Sequence, residues 1–206
     1  MGKTIITIAR GYGSGGKTLG GLLAKELGIK CYDNELIKMA SEESGINEAL
    51  FGAADEKKKA PLFRSSHPYK GNIISPESED FVSNDNLFNY QAKIIRDLAD
   101  KESCVIIGRC ADYVLKDYDN VIRLYFYAPL KDCIARCQEL FGESEKELIK
   151  KIEKIDKHRA EYYKYYTGHQ WDDTRNYDFC LNTSSMSYEK LVEVVKNYIG
   201  IMQKMK

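Results

Sequence analysis

No apolar run in this chain is long enough to cross a bilayer. The longest, TIITIA and CVIIG, fall far short of the about 20 residues that a membrane helix requires. Nor does either charge predominate: lysines and arginines number 31, aspartates and glutamates 31, for a formal net charge of zero. That balance removes the broad positive field with which a protein gathers nucleic acid, so neither nucleic acid nor membrane is an expected partner. Six cysteines, Cys31, Cys104, Cys110, Cys133, Cys137 and Cys180, are scattered without a CxxC pair, which excludes a disulfide framework and a thiolate zinc site. Three histidines, His67, His158 and His169, have no ligand spacing between them. The amino terminus reads as a strand without a cleavable signal, and the expected compartment is the cytoplasm, with reduced thiols.

Against these absences stands a local excess. Four of the 15 glycines fall within eight positions, GYGSGGKT, Gly11 to Thr18. Glycine at that density weakens a helix or strand interior, so the backbone itself must be needed there. The preceding TIITIAR reads as a strand, Thr4 to Ala9. Leu19, Leu22, Leu23 and Leu27 then recur at helical spacing up to a stop at Gly28. Strand, glycine loop and helix complete the pattern GxxxxGK[ST] in the context its mechanism demands. Backbone amides of Gly11, Tyr12, Gly13, Ser14, Gly15 and Gly16 would converge on a polyphosphate, aided by the partial positive charge of the helix end. Lys17 would reach the β and γ phosphates and the Thr18 hydroxyl would ligate a magnesium ion, which makes ATP and Mg2+ the expected cofactors.

The rest of the chain alternates apolar runs with amphipathic stretches, as βα units around a parallel sheet do. IKCYD reads as a second strand, with Asn34 placed to cap the helix that follows. ESCVIIGR gives a third, VIRLYFYA a fourth ended by Pro129, and YDFCLNT a fifth. Helices are expected after Asn84 or Asp85, over about 130 to 141, from a capping box at Ser144 and Glu147 through EYYKYY, and over the carboxyl terminus. Periodicity dissolves between 51 and 82, where three of the four prolines lie. That segment is expected to be a linker or a mobile lobe. With 206 residues, 43% of them hydrophobic and 30% charged, one domain spanning 1 to 206 suffices.

The third strand decides between kinds of P-loop protein. GTPases and most ATPases end a strand in an aspartate that holds magnesium. Here CVIIGR ends in Gly108 and Arg109, and a guanidinium at the carboxyl edge of a sheet suits bidentate capture of a phosphate. One phosphate site for a donor and another for an acceptor point to phosphoryl transfer.

Several stretches together resemble the cytidylate kinase-like branch of the nucleoside monophosphate kinases: ITIARGYGSGGKT, CYDNELIKMASEESG, VIIGRCADYVL, KIDKHRAEYYKYYTGHQW and NYDFCLNTS. The resemblance covers nearly the whole chain apart from 51 to 82. It implies an α/β P-loop NTPase three-layer sandwich: a five-stranded parallel sheet with helices on both faces, an acceptor-side insertion at 51 to 82 and a helical lid at about 144 to 171. In cytidylate kinases an Asp-Gly-Arg-Asp pattern ends the third strand, and its arginine contacts the acceptor. Gly108 and Arg109 match it. Ile107 and Cys110 stand where the acids would be, and the next acid is Asp112.

By the same resemblance Asp33 faces the acceptor, with a helix-capping aspartate as the competing reading. Lys157 and Arg159 of DKHR supply the cations that close over the transferring phosphoryl group. On a helix Asp156 and Arg159 share a face whereas Lys157 and Arg159 do not. Tyr162, Tyr163, Tyr165 and Tyr166 could stack on a base or pack on their neighbours, and Trp171 could pack or meet the lid. The function implied is transfer of the ATP γ-phosphoryl group to a small phosphorylated acceptor such as CMP or dCMP. Two others stay open: a kinase of a non-nucleotide hydroxyl, with Asp33 or Asp112 as base, and a nucleotide-binding regulator with little turnover.

Overall fold

The computed structural model describes residues 3–56, 69 and 71–205. Five strands form one parallel sheet: β1 (Ile5–Arg10), β2 (Lys30–Tyr32), β3 (Cys104–Ile107), β4 (Val121–Tyr127) and β5 (Phe179–Asn182), in the order β2-β3-β1-β4-β5. Alternation along the strands builds two cores. Ile6 and Ile8 are in register with Val105 and Ile107 on one side and Ile122 and Leu124 on the other. They pack with Leu19 and Leu23 of α1 (Gly16–Leu27) and with Leu191, Val195 and Ile199 of α8 (Tyr188–Met205). The intervening positions, Ile5, Cys104, Ile106 and Val121, face the opposite layer.

That second layer contains α2 (Glu35–Ser44), α3 (Glu48–Glu56), α4 (Asn84–Lys101) and the short α5 (Ala111–Val114), with the aromatic end of α7 (Glu145–Thr167). Helix α6 (Leu130–Phe141) packs on the first turns of α7 through Cys133, Cys137, Leu148 and Ile152. The result is the three-layer α/β sandwich expected from the sequence. Chain order reverses about β1, whose neighbours are β3 and β4, and ligands of open α/β sheets bind at such a reversal, outside the carboxyl ends of the strands.

Some local expectations needed revision. The α4 helix is capped by Ser83, not by Asn84 or Asp85: Ser83 is extended, and its hydroxyl accepts from the Asn86 amide at 3.3 Å. Asn34 precedes α2 but makes no side-chain capping bond, and Glu35 Oε2 accepts from the Asp33 amide at 3.1 Å instead. At Ser144 the capping box is present in both directions. Helix α3 carries the chain six residues into the stretch where periodicity fades, with Phe51 fully buried. Residues 71 to 82 are irregular, and 57 to 68 and 70 lie outside the described residues.

Candidate active site

The glycine loop is held from below by contacts that leave no room for side chains. Gly13 has φ 74°, and a Cβ there would come 2.8 Å from the Cys133 carbonyl oxygen. A Cβ on Gly16 would lie 2.6 Å from Arg10 Cβ. Ser14 is buried, and its carbonyl accepts from Arg136 at 2.8 Å and from the Thr183 hydroxyl, which ties the loop to α6 and to the end of β5. Gly11 donates to the Phe126 carbonyl at 3.1 Å and Tyr12 to Asp156 Oδ1 at 2.8 Å. Helix α1 then begins with no side-chain cap and no acid in its first turn, so its positive end is uncompensated by the protein. Lys17 and Thr18 project from that turn, both exposed.

Beside the loop lies a cavity of about 780 Å³, whose wall includes Arg10, Arg109 and Arg159, from the ends of β1 and β3 and from α7. Arg109 is placed by an unusual backbone: Gly108, Arg109 and Cys110 all have positive φ, 75°, 59° and 52°. At φ 75° a side chain on Gly108 would be strained, and its Cβ would displace the Arg10 guanidinium, so glycine suits the position. Arg109 Nη1 donates to Gln91 Oε1 at 3.0 Å. Arg159 Nη1 donates to the Arg10 carbonyl at 3.0 Å and to Asp156 Oδ1 at 3.1 Å.

Two described carboxylates lie among these cations. Arg10 lies 3.7 Å from Asp33 Oδ1, and Asp156 serves Arg159 and the Tyr12 amide together. Burial, followed by the neighbouring Arg159, lowers the Arg10 pKa to about 10. Burial likewise lowers Arg109 and Arg159. Three guanidinium groups whose protonated state is disfavoured form a site that an anion relieves.

The residues singled out in the sequence are distributed unevenly around this cavity. Asp33 is buried next to the loop, with Lys17 Nζ 2.7 Å from its Oδ2. Asp112 lines the cavity but is engaged, accepting from the Tyr163 hydroxyl at 2.5 Å, and burial raises its pKa. Lys157 points away from the cavity wall: its side chain is 78% exposed, 3.9 Å from Glu161. Tyr165 and Tyr166 pack, Tyr166 stacking on Phe88 at 3.9 Å and Tyr165 donating to Asp85 at 3.1 Å. Tyr162, Tyr163 and Trp171 line the cavity.

Sequence reasoning passed over Arg10, Gln91, Arg136 and the bond from Asp156 to the loop. Arg10 carried a signal, as the only charge in TIITIAR and the last residue before the glycines. Gln91 and Arg136 carried none, because their partners are 18 and 122 residues away. Among the described residues no group of three or more histidine, cysteine or acidic side chains is placed to hold a metal ion. Nor, among them, is any helix long and apolar enough to cross a membrane.

Comparison with known proteins bears on the family and the fold. The model of the cytidylate kinase-like family matches residues 5–185. The crystal structure of an uncharacterized protein from Eubacterium ventriosum superposes with a TM-score of 0.70 at 26% identity, over 96% of this chain and 99% of that one. Shikimate kinase from Bacteroides thetaiotaomicron gives 0.55 at 15% identity, over 96% and 98% of the two chains. A gluconokinase from Sinorhizobium meliloti gives 0.53 at 11%, over 98% and 95%. At those identities the two kinases share the fold alone. A uronate isomerase of Corynebacterium glutamicum is 32% identical over 104 residues, 48% of this chain and 20% of that protein, so the chain spans about a fifth of that curated relative.

Proposed function

The chain belongs to the cytidylate kinase-like family, and from that premise we propose that it transfers the γ-phosphoryl group of ATP to a small phosphorylated acceptor such as CMP or dCMP. The observation that carries this reading is the meeting of Arg10, Arg109 and Arg159 on one cavity beside the glycine loop. An acceptor that brings its own phosphate supplies oxygens that suit desolvated guanidinium groups.

In this reading ATP lies along Gly11 to Thr18, and Lys17 exchanges Asp33 for the β and γ phosphates. Arg109 and Arg10 hold the acceptor phosphate. One of its oxygens attacks the γ-phosphorus while the bond to the β–γ bridging oxygen breaks, and ADP leaves with that oxygen. The attacking oxygen is already anionic, so no strong general base is required, and positioning with charge neutralisation supplies most of the acceleration. Arg159 stands where charge builds on the transferring group.

The Thr18 hydroxyl, a hard oxygen donor beside the loop, suits magnesium, which takes one or two protein ligands and fills the rest with water and phosphate. Held there, such an ion would supply positive charge against the phosphate oxygens. The protein's own part is to hold the loop, orient the acceptor and exclude water.

Asp33 favours a second reading. A buried carboxylate beside the donor lysine could take a proton from a hydroxyl acceptor, as in a kinase of a non-nucleotide metabolite. The experiment is ADP formation from ATP and magnesium with CMP, dCMP, UMP, AMP, GMP or no acceptor. Wild type is run beside Arg109→Ala. Stimulation by CMP or dCMP, with an acceptor KM raised by Arg109→Ala and ATP binding intact, is the expected result. Selective loss of ATP affinity in that variant would move Arg109 to the donor side, and no stimulation by any nucleotide would turn the search to hydroxyl acceptors.

A further inference from the structure

Helix α7 holds the glycine loop through a carboxylate, an unexpected group beside a loop suited to anions. Asp156 Oδ1 accepts from the Tyr12 amide at 2.8 Å, and its Oδ2 lies 3.6 Å from where a Cβ on Gly11 would stand. The other described hydrogen bonds that hold the loop from outside come from neutral or cationic groups: the Phe126 carbonyl, the Arg136 guanidinium and the Thr183 hydroxyl. A carboxylate at that place repels any phosphate drawn to the loop, so it needs a use that offsets the repulsion.

Arg159 supplies one. It stands three residues further along the same face of α7, and its Nη1 donates both to Asp156 Oδ1 at 3.1 Å and to the Arg10 carbonyl at 3.0 Å. Its guanidinium carbon is 5.7 Å from the centre of the Tyr12 ring. The bonds run from the Tyr12 amide to Asp156, on to Arg159 and back to the Arg10 carbonyl, and so straddle Gly11, the first residue of the loop. Both N–H groups of Nη1 are used in this circuit, and the guanidinium is held by one corner. Nε and Nη2 make no hydrogen bond among the described residues, on a side chain that lines the cavity. An arginine loses much rotamer freedom in taking one pose, and a bonded carboxylate keeps it there before a ligand arrives.

We propose that Asp156 is a positioning residue with two tasks: it holds the Tyr12 amide of the glycine loop and, through the same oxygen, sets the Arg159 guanidinium against that loop for its work on the transferring phosphoryl group. The inference rests on the reading of Arg159 as a cation of the reaction. It adds that the pose of Arg159 is fixed by the loop that binds the donor.

The test separates the two bonds. Asp156→Asn keeps an oxygen for the Tyr12 amide and removes the charge that holds Arg159, whereas Asp156→Ala removes both. Calorimetric titration of ADP reads the hold on the loop. Asp156→Ala is expected to bind ADP about tenfold more weakly than Asp156→Asn, which itself should bind no more weakly than wild type, the repelling charge being gone. ADP formation with the best acceptor of the nucleotide panel reads the setting of Arg159, in a cycle of Asp156→Asn, Arg159→Ala and the double variant. Asp156→Asn should lower kcat about tenfold and Arg159→Ala about a hundredfold or more, with the double variant no slower than Arg159→Ala alone. A merely structural role would lower kcat by the same factor in both backgrounds. Thermal melts show that each variant is folded, and the cycle does not depend on Asp156→Ala.

Equal ADP affinity in Asp156→Ala and Asp156→Asn would overturn the hold on the loop. A kcat loss from Asp156→Asn that persists undiminished beside Arg159→Ala would overturn the setting of Arg159 and leave the reading of the cavity standing. Normal turnover in Arg159→Ala would overturn the reading of Arg159 itself, and its positioning with it. If no nucleotide stimulates ADP formation, the acceptor reading fails and the ADP comparison alone decides for or against Asp156. Wild-type protein that does not bind ADP would overturn the loop assignment and this inference together.

Discussion

Lys17 Nζ rests 2.7 Å from Asp33 Oδ2, which joins the first turn of α1 to the residue after β2. The lysine expected to grip a nucleotide is therefore already bonded to the acid expected to meet the acceptor. Under the proposed function, filling the loop with phosphates would draw the lysine away and leave Asp33 to Arg10, 3.7 Å off. The proposed donor and acceptor sites would then share one exchangeable ion pair.

Replacing that lysine is the most direct probe. Lys17→Ala is expected to lower turnover at least about a hundredfold. The melting temperature should change by less than about 3 °C, because the side chain is 66% exposed and such a pair contributes at most about 1 kcal/mol. Steady-state kinetics beside a thermal melt settles it, and near-normal turnover would refute the loop assignment.

Asp33→Asn separates the two acceptor classes. If the acceptor is a phosphate, kcat should fall less than about tenfold, since no proton has to be removed. A loss of about a hundredfold or more, restored as pH rises, would identify a hydroxyl acceptor and make Asp33 its base.

Gly13 and Gly21 make a matched pair for stability. At Gly13 a Cβ meets the Cys133 carbonyl at 2.8 Å with φ 74°, whereas at Gly21, on the exposed side of α1, it meets nothing within 4 Å. Gly13→Ala should lower the melting temperature by about 3 to 10 °C. Gly21→Ala should leave it unchanged or raise it slightly. Equal melts for the two variants would mean that the loop can yield, contrary to the packing described.

Asp112 gives a pH dependence of known sign. Burial is the main cause that raises its pKa in the folded state, partly offset by the Tyr163 hydroxyl. A carboxyl whose folded pKa lies above its unfolded one favours the fold while protonated. That contribution is lost as pH rises from the unfolded value through the folded one. The melting temperature of Asp112→Asn relative to wild type should therefore improve between about pH 4 and about pH 7. A constant difference across that range would remove the desolvation account.

Much of the fold was legible because it is written locally. Strands β1, β3 and β4 were visible as apolar runs rich in β-branched residues, the glycine loop as eight contiguous residues and the start of α7 as a capping box. The cavity wall is written across the chain and was read only in pieces. Arg109 and Arg159 stood in recognisable company, but Gln91, which holds Arg109, lies on a helix whose pattern shows only that it has a buried face. Lys157 illustrates the limit of spacing. It is two residues from Arg159, which on a helix turns it to the other side, and there it meets Glu161. Ser83 was missed for Asn84 because a cap is defined by backbone conformation, which composition does not record.

Helix α7 is a single rod of 23 residues, about 34 Å long. Asp156, midway along it, holds the backbone of the glycine loop, and within the next two turns Arg159 and Tyr162 form part of the wall of the cavity. A stiff lever cannot swing at one of these contacts and stay still at the other. Under the proposed function, any tilt that widens the way out for the acceptor would also tug at Tyr12, and the departures of the two products would become one mechanical event.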